Sequence, residues 1–592
     1  MGVPIVVGAG GKPRFIVVGG GLAGLMTTIR IAERGHSVDL FSLVRVSRSH
    51  SVCAQGGING AVNTKGEGDS PWVHLDDTVY GGDFLAHQPP VKEMTEAAPE
   101  IIDLYDRMGV MFNRTAEGLL DFRRFGGTKV HRTAYAGATT GQQLLYALDQ
   151  QVRRWEDQGL VTKHEGWEFL GAVRDGAGVA RGIVAMDLAS LEIRAFRGDA
   201  TMVATGGPGV VFGKSTNSII NTGAANANLY RQGAKYANPE MVQIHPTAIP
   251  GRDKRRLISE SVRGEGGRVW VPRDGKPWYF LEEWYPAYGN LVPRDIAAQA
   301  IYKVVYDMGL GVDGDEAVYL DVTHMDPKEL DVKLGGVLEI YEKFMGEDPR
   351  RVPMKVFPAV HYSMGGMWVD YDLMTSIPGV FSGGEANYEY HGANRLGANA
   401  LVSCTFDGMK GGPKMIDYAA GLGELAADQE ESIYQTEVAA QEERRGGVLG
   451  LQGGSENPYA LHRELGDWMT RYCTVVRKEE QLRQTDAKIR ELGDRWNRID
   501  LPDTGGWVNQ SVVFTRQLQE MLELARAMVQ GAIARQESRG VHLRPDFPGR
   551  DDERWLKTTI AEWTPEGPRL SSEPVDVSLI PPRPRQYRKD IR

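Results

Sequence analysis

Residues 14–43 read RFIVVGGGLAGLMTTIRIAERGHSVDLFSL. Four apolar residues, Phe15 to Val18, run into three glycines; a stretch of helical apolar spacing follows and closes at Gly35, and a second β-rich run ends at Ser42. That order predicts strand, tight turn, helix and strand, the βαβ unit of a parallel sheet. Within it, Gly19-x-Gly21-x-x-Gly24 lets the backbone turn sharply and admits a pyrophosphate to the helix N-terminus, where unpaired N–H groups and the dipole favour an anion. The acid that would hold the ribose hydroxyls of NAD about 20 residues further on is missing, because Ser42 stands at the strand's end. A flavin dinucleotide fits this loop better than NAD. The earlier GAGG at 8–11 is followed by Lys12-Pro13 rather than a helix and reads as a loop.

Outward from this unit, glycine-dense text continues to about residue 90, and strand-like runs return at Gly182 to Met186 and Met202 to Thr205, the latter ending in Gly206 and Gly207. From roughly 240 to 360 the text turns proline- and aromatic-rich, as in KPWYFLEEWYPAYGNLVPRD (276–295), before GVFSGGEA (379–386) resumes the strand pattern. Further on, Leu461, Leu465, Trp468, Tyr472 and Val475, and then Phe514, Leu518, Met521, Ala525 and Met528, recur at spacings of three and four, which predicts two long amphipathic helices. The expected fold is α/β: a Rossmann-like FAD-binding domain in two parts (1–240 and 361–425), interrupted by an α+β capping domain (241–360) and followed by a helical domain (426–540) and an extended tail (541–592).

Composition narrows the function classes. With 592 residues, 41% hydrophobic and 25% charged, the chain is a folded protein of several domains. A net charge of -10 offers no basic face for nucleic acid. Cys53, Cys404 and Cys473 are far apart, so neither a disulfide framework nor a metal knuckle is expected and a reducing compartment fits. No uncharged apolar run of about 18 residues and no charged leader stand in the text, which predicts neither a membrane span nor a signal peptide.

Just after the second strand comes Arg48-Ser49-His50-Ser51-Val52-Cys53-Ala54-Gln55-Gly56-Gly57. This segment closely resembles the flavinylation motif of succinate dehydrogenase and fumarate reductase flavoproteins. GEGDSPW (66–72), DDTVYGGDFLA (76–86), DFRRFGGT (121–128) and residues 131–149 are similar to the menaquinone-linked, Bacillus-like branch, and the resemblance runs from about 14 to 550. It implies FAD bonded through its 8α carbon to His50, a link that raises the flavin's potential. It also implies cofactor contacts from Gly19, Gly21, Gly24, Ser42, Ser49, Ser51, Gln55, Gly56, Gly57, Thr205, Gly206, Glu385, Ala400 and Leu401. The segment Asn399-Ala400-Leu401 is expected to open a helix aimed at the flavin's pyrimidine end, where negative charge gathers on reduction.

A four-carbon dianion needs cationic donors at both ends, because burying a carboxylate unpaired costs several kcal/mol. Candidates stand in four motifs: His245 in HPT, Arg294 in VPRD, His361 in AVHYSMGG and Arg395 in HGANRLGANAL. By resemblance, His245, Ser259, His361 and Arg395 bind the substrate carboxylates. Arg294 exchanges a proton with the substrate carbon, supplied through Glu260 and Arg263 of SESVRGEGG (259–267). That role needs an unusual site, since arginine ordinarily keeps its proton beyond pH 12. The sequence departs from the family pattern at Ala224, Ala386 and Ala400, where aspartate, cysteine and serine are common.

Three scattered cysteines cannot ligate an iron–sulfur cluster, which takes four thiolates. The resemblance therefore implies partners: an iron–sulfur subunit and a haem-bearing membrane cytochrome b anchor, with quinone reached only indirectly. It places the chain at the cytoplasmic face of the bacterial inner membrane. Two rivals are a soluble L-aspartate oxidase-like flavoenzyme, whose FAD is not covalent, and a noncatalytic scaffold of the same fold, which would be expected to have lost part of the cationic set.

Overall fold

The βαβ unit is present in the computed structural model, which describes residues 5–6, 11–251 and 254–587. Strand Phe15–Val18, helix Leu22–Ala32 and strand Val38–Ser42 follow in order. The two strands sit inside a five-stranded, wholly parallel sheet, ordered Val380–Ser382, Ala200–Val203, Phe15–Val18, Val38–Ser42, Val161–Glu165. The first four are buried along their length, which is why they read as apolar runs rather than as an alternation. The helix can close onto its own strand only because residue 24 is glycine: a Cβ there would lie 1.8 Å from the Gly19 carbonyl oxygen. Gly19 has φ +119° and the Ala204 carbonyl oxygen 2.2 Å from where its Cβ would be, so it is required twice over. Of the predicted loop at 8–11, only Gly11 lies among the described residues.

An inserted body carries a six-stranded antiparallel sheet, including Val242–Ile249, Val318–Asp321 and Met354–Ser363. Helices Arg294–Tyr302 and Pro327–Met345 share one apolar core with it, in which Val269, Leu320, Ala297, Leu334 and Leu338 meet. The strand Met354–Ser363 runs unbroken past residue 360 and so leads from this cap straight back into the flavin-binding part.

The helical region holds four long helices, Glu431–Leu449, Pro458–Tyr472, Glu479–Trp496 and Gln510–Ala534, two more than the apolar spacing predicts. The additional pair is mostly polar: Glu431–Leu449 buries only Tyr434, Val438, Gln441 and Val448, too sparse a stripe to stand out. Val475 falls beyond the helix that ends at Tyr472. The tail is more ordered than an extended strand. Lys557–Glu562 and Arg569–Pro574 form a hairpin whose first strand pairs with Tyr236–Ala237, because a turn closed by Gly567 N–H on the Thr564 carbonyl brings two β-patterned runs together. Among the described residues no helix is long and apolar enough to cross a membrane.

Candidate active site

At the carboxyl ends of the parallel strands lies a cavity of about 430 Å3, the place where open α/β sheets bind ligands. Gly19, Gly21, Ser42, Ser49, His50, Ser51, Gln55, Thr205, Gly206, Glu385, Ala400 and Leu401 line it, as do Ala224, His361 and Arg395. Three expected cofactor contacts do not. Gly24 faces the Gly19 carbonyl, Gly57 is pressed against the Ala134 carbonyl and Gly56 against the Phe125 ring; these glycines permit close backbone packing behind the wall.

His50 sits on a short 3-10 turn, His50–Cys53, that ends in an exposed thiol. The Ser218 N–H donates to its Nδ1 (3.2 Å) and Asn217 Nδ2 stands 3.4 Å from its Nε2. Burial, aided by the charge of Lys254, pulls the imidazole down to about 4, so the ring is neutral at physiological pH. Ser51 Oγ accepts from the Leu22 N–H (3.3 Å) at the glycine-loop helix, tying this turn to the dinucleotide loop. Glu385 Oε1 accepts from the Ser363 N–H (2.9 Å), and burial raises its carboxyl to about 7.

The cationic residues converge from separate elements. His245 and His361 occupy the paired strands Val242–Ile249 and Met354–Ser363, with ring centroids 5.0 Å apart. Thr216 Oγ1 lies 2.7 Å from His361 Nδ1, and the Thr247 N–H donates to His245 Nδ1 (3.2 Å). Burial first, and the Arg294 charge second, hold both imidazoles well below their ordinary value. Arg294 opens the cap helix behind Pro293. Its Nε and Nη2 donate to Glu260 Oε2 (2.9 and 2.8 Å) and its Nη1 to Gln243 Oε1 (3.0 Å). Glu260 Oε1 accepts from Arg263 Nη2 (2.7 Å), and both side chains are sealed from solvent. Burial pushes the Glu260 carboxyl up, but the charges of Arg294 and Arg263 outweigh it and the group lies below the usual range. Burial pulls Arg263 down. Ser259 is buried and accepts at Oγ from Ser261 N–H and Oγ–H (3.2 and 2.8 Å).

Arg395 forms no ion pair among the described residues; its guanidinium stands 4.4 Å from the Tyr362 ring. Burial, with the Arg294 charge, lowers it to about 9. Gln243 joins the two arginines, since its Nε2 also donates to the Arg395 carbonyl oxygen (2.7 Å). Gln243, Thr216, Asn217 and Ser218 escaped the sequence reading. A polar side chain inside VQIHPT (242–247) was the one available signal.

The residues fit FAD and a dicarboxylate. Gln55 Oε1, Thr205 Oγ1, Asn221 Oδ1 and Arg395 Nε belong to lining residues and are buried with no partner among the described residues; His245 Nε2 is likewise unpartnered, behind the lining residue His361. Buried polar atoms are normally paired, so this cluster marks places for ligand groups. Helix Asn399–Ala420 starts at the cavity wall with no acid in its first turn, which leaves its positive end free for a flavin pyrimidine.

Residues 14–401 match the FAD binding domain model and residues 462–587 the fumarate reductase flavoprotein C-terminal model. The chain is 64% identical, over 97% of its length and 98% of the relative's, to the succinate dehydrogenase flavoprotein subunit of Bacillus subtilis (strain 168). It is 34% identical to the fumarate reductase flavoprotein subunit of Serratia sp. (strain ATCC 39006), covering 96% of each. A solved quinol-fumarate reductase with menaquinol molecules superposes with a TM-score of 0.90 at 31% identity, over 96% of this chain and 99% of that one. Sequence and fold agree: the chain belongs to the succinate dehydrogenase and fumarate reductase flavoprotein family.

Proposed function

We propose that this chain is the catalytic flavoprotein subunit of a succinate:quinone oxidoreductase, an FAD-dependent enzyme that interconverts succinate and fumarate. The single observation that carries the reading is a cavity fit for a dinucleotide with Arg395 and His361 in its wall, against which His245 packs and to which Gln243 joins Arg294. When bound, FAD supplies the two-electron acceptor and donor. Gly19, Gly21 and the helix they open hold its pyrophosphate, Thr205 and Glu385 its hydroxyls, and Ala400 and Leu401 its pyrimidine edge. His50 is the attachment point. With Nδ1 occupied by the Ser218 N–H, Nε2 is the ring atom left to form the covalent bond.

Arg395, His245, Ser259 and His361 grip the two carboxylates of the substrate. Neutral imidazoles donate hydrogen bonds there without adding charge, and the guanidinium of Arg395 supplies the charge-assisted bonds. Arg294 exchanges the proton at the substrate carbon. Glu260, sealed between Arg294 and Arg263, receives that proton from Arg294 in succinate oxidation and returns it in fumarate reduction, with Arg263 passing it to and from solvent. Water is kept out by the burial of all three, which strengthens each interaction. The same residues serve both directions, and the partners' potentials decide which prevails.

The chain works within a larger assembly. Its three cysteines cannot form a cluster, so electrons pass to an iron–sulfur subunit, which docks on a haem-bearing cytochrome b anchor at the cytoplasmic face of the inner membrane. Quinone is reached only through these partners. Denaturing gel electrophoresis tests the core of this reading. Yellow fluorescence should migrate with the wild-type chain and be absent from His50→Ser, which should also lose succinate oxidation in a dye-linked assay. A wild-type band without colour would leave the aspartate oxidase-like reading in its place, and covalent flavin with no activity toward succinate or fumarate would leave the scaffold.

A further inference from the structure

The last described residues cross from the flavin-binding part to the cap. Gln88, at the start of helix Gln88–Arg107, accepts from the N–H groups of Leu579 and Ile580 (2.8 and 2.7 Å). Arg583 pairs with Asp76 (2.7 Å) and lies 4.8 Å from the Tyr80 ring, whose hydroxyl accepts from the Gln586 N–H (2.6 Å). Those anchors are all on the flavin side. Arg585 then bridges, with Nη1 2.6 Å from Asp295 and 3.7 Å from Asp83. Tyr587 is buried in the cap's apolar core, its ring 5.2 Å from Tyr288 and 5.6 Å from Tyr80. Asp295, fully buried, is the neighbour of Arg294 in the first turn of the cap helix.

We propose that residues 583–587 form a strap that positions Arg294, by pinning the first turn of the cap helix to the flavin-binding part. The inference rests on the proton role assigned to Arg294 above. Without Arg585, the Asp295 carboxylate would be buried uncompensated, and the turn must shift to hydrate it. Arg294 would move with that turn, off Glu260 and Gln243. His361 and Arg395 stand on other elements and keep their places. Arg585 is thus a positioning residue, felt in turnover more than in substrate affinity.

Three measurements on the assembled enzyme test this with Arg585→Met and Asp295→Asn/Arg585→Met: kcat per covalent flavin with succinate and a dye, malonate affinity from flavin absorbance, and hydrogen exchange of residues 294–302. Misplacing a reacting group by about 1 Å costs up to about 100-fold, so Arg585→Met should lower kcat about 10- to 100-fold. Malonate affinity should stay within about threefold, as for a residue acting on the transition state, and the cap helix should exchange faster. The double variant, which removes the stranded charge, should recover most of the kcat. The strap is refuted by an Arg585→Met enzyme with wild-type turnover and exchange, or by kcat and malonate affinity falling together without recovery in the double variant. If wild type itself neither oxidises succinate nor binds malonate, the proposed function fails, and the strap then stands or falls on exchange alone.

Discussion

At the scale of the residue, proton supply is the demanding step. Glu260 lies between two arginines, below its usual pKa through their charges, so it is ionised, and the proposed relay asks it to take a proton against that low affinity. Replacing Arg294 by Ala should cut turnover by about 10²- to 10⁴-fold, the range of a lost general acid, with the flavin still attached. Stopped-flow reduction by succinate checks this, and near-normal rates would remove Arg294 from the mechanism. His50, His245, His361, Arg294 and Arg395 stood out as candidates because each lies in a distinctive short motif. Gln243, which donates to the Arg395 carbonyl and accepts from Arg294, was not. Its role depends on which distant chain segments meet it, and spacing carries no record of that.

At the scale of the element, helix Asn399–Ala420 does more than present its N-terminus. Asp407, two turns in, accepts from the Gly384 N–H (2.7 Å), from Asn387 Nδ2 (3.0 Å) and from the Tyr390 hydroxyl, and so holds the loop that carries Glu385. Burial raises the Asp407 carboxyl from 3.8 to about 7 despite these bonds. The folded state therefore keeps a proton that the unfolded chain releases. Its stabilising share is complete below about 3.8 and is lost as pH climbs toward about 7, and Glu385 acts in the same direction. Asp407→Asn should flatten the fall of the thermal midpoint across that window in the flavin-free protein. An unchanged slope would contradict the protonated state. The glycine loop and its βαβ unit were readable from local pattern, as were the two helices with dense apolar stripes. Helix Glu431–Leu449 was missed because few of its residues are buried, which leaves little periodicity to read; Glu479–Trp496 carries a regular stripe, Leu482, Ile489 and Leu492 with Thr485 and Asp486, but two of its five buried positions are polar.

At the scale of the whole molecule, the C-terminal arginines and acids form an alternating chain. It runs Glu240, Arg535, Glu537, Arg539, Asp552, Arg550, Asp83, Arg585, Asp295, from the base of the helical region to the cap. The charge-rich tail was visible in the text, but its partners were not: Arg550 and Asp83 are 467 residues apart. Arg535→Met leaves Glu240 in the interior with only the Thr559 hydroxyl bonded to its carboxylate among the described residues, while Glu537 keeps Arg539, and should cost about 3–5 kcal/mol, measurable by chemical denaturation. A loss below about 0.5 kcal/mol, the size of a surface change, would show that the chain contributes little.

The neutral histidines have an electrical consequence. Around the clamp, the guanidinium charges of Arg263, Arg294 and Arg395 less the Glu260 carboxylate leave two positive charges, and a four-carbon diacid brings two negative ones. On the proposed clamp a bound diacid would balance these four groups, whereas the same groups without it carry two positive charges for anions from solution to offset. Diacid entry is then an exchange of anions, and monovalent salt competes with substrate by mass action rather than by screening alone.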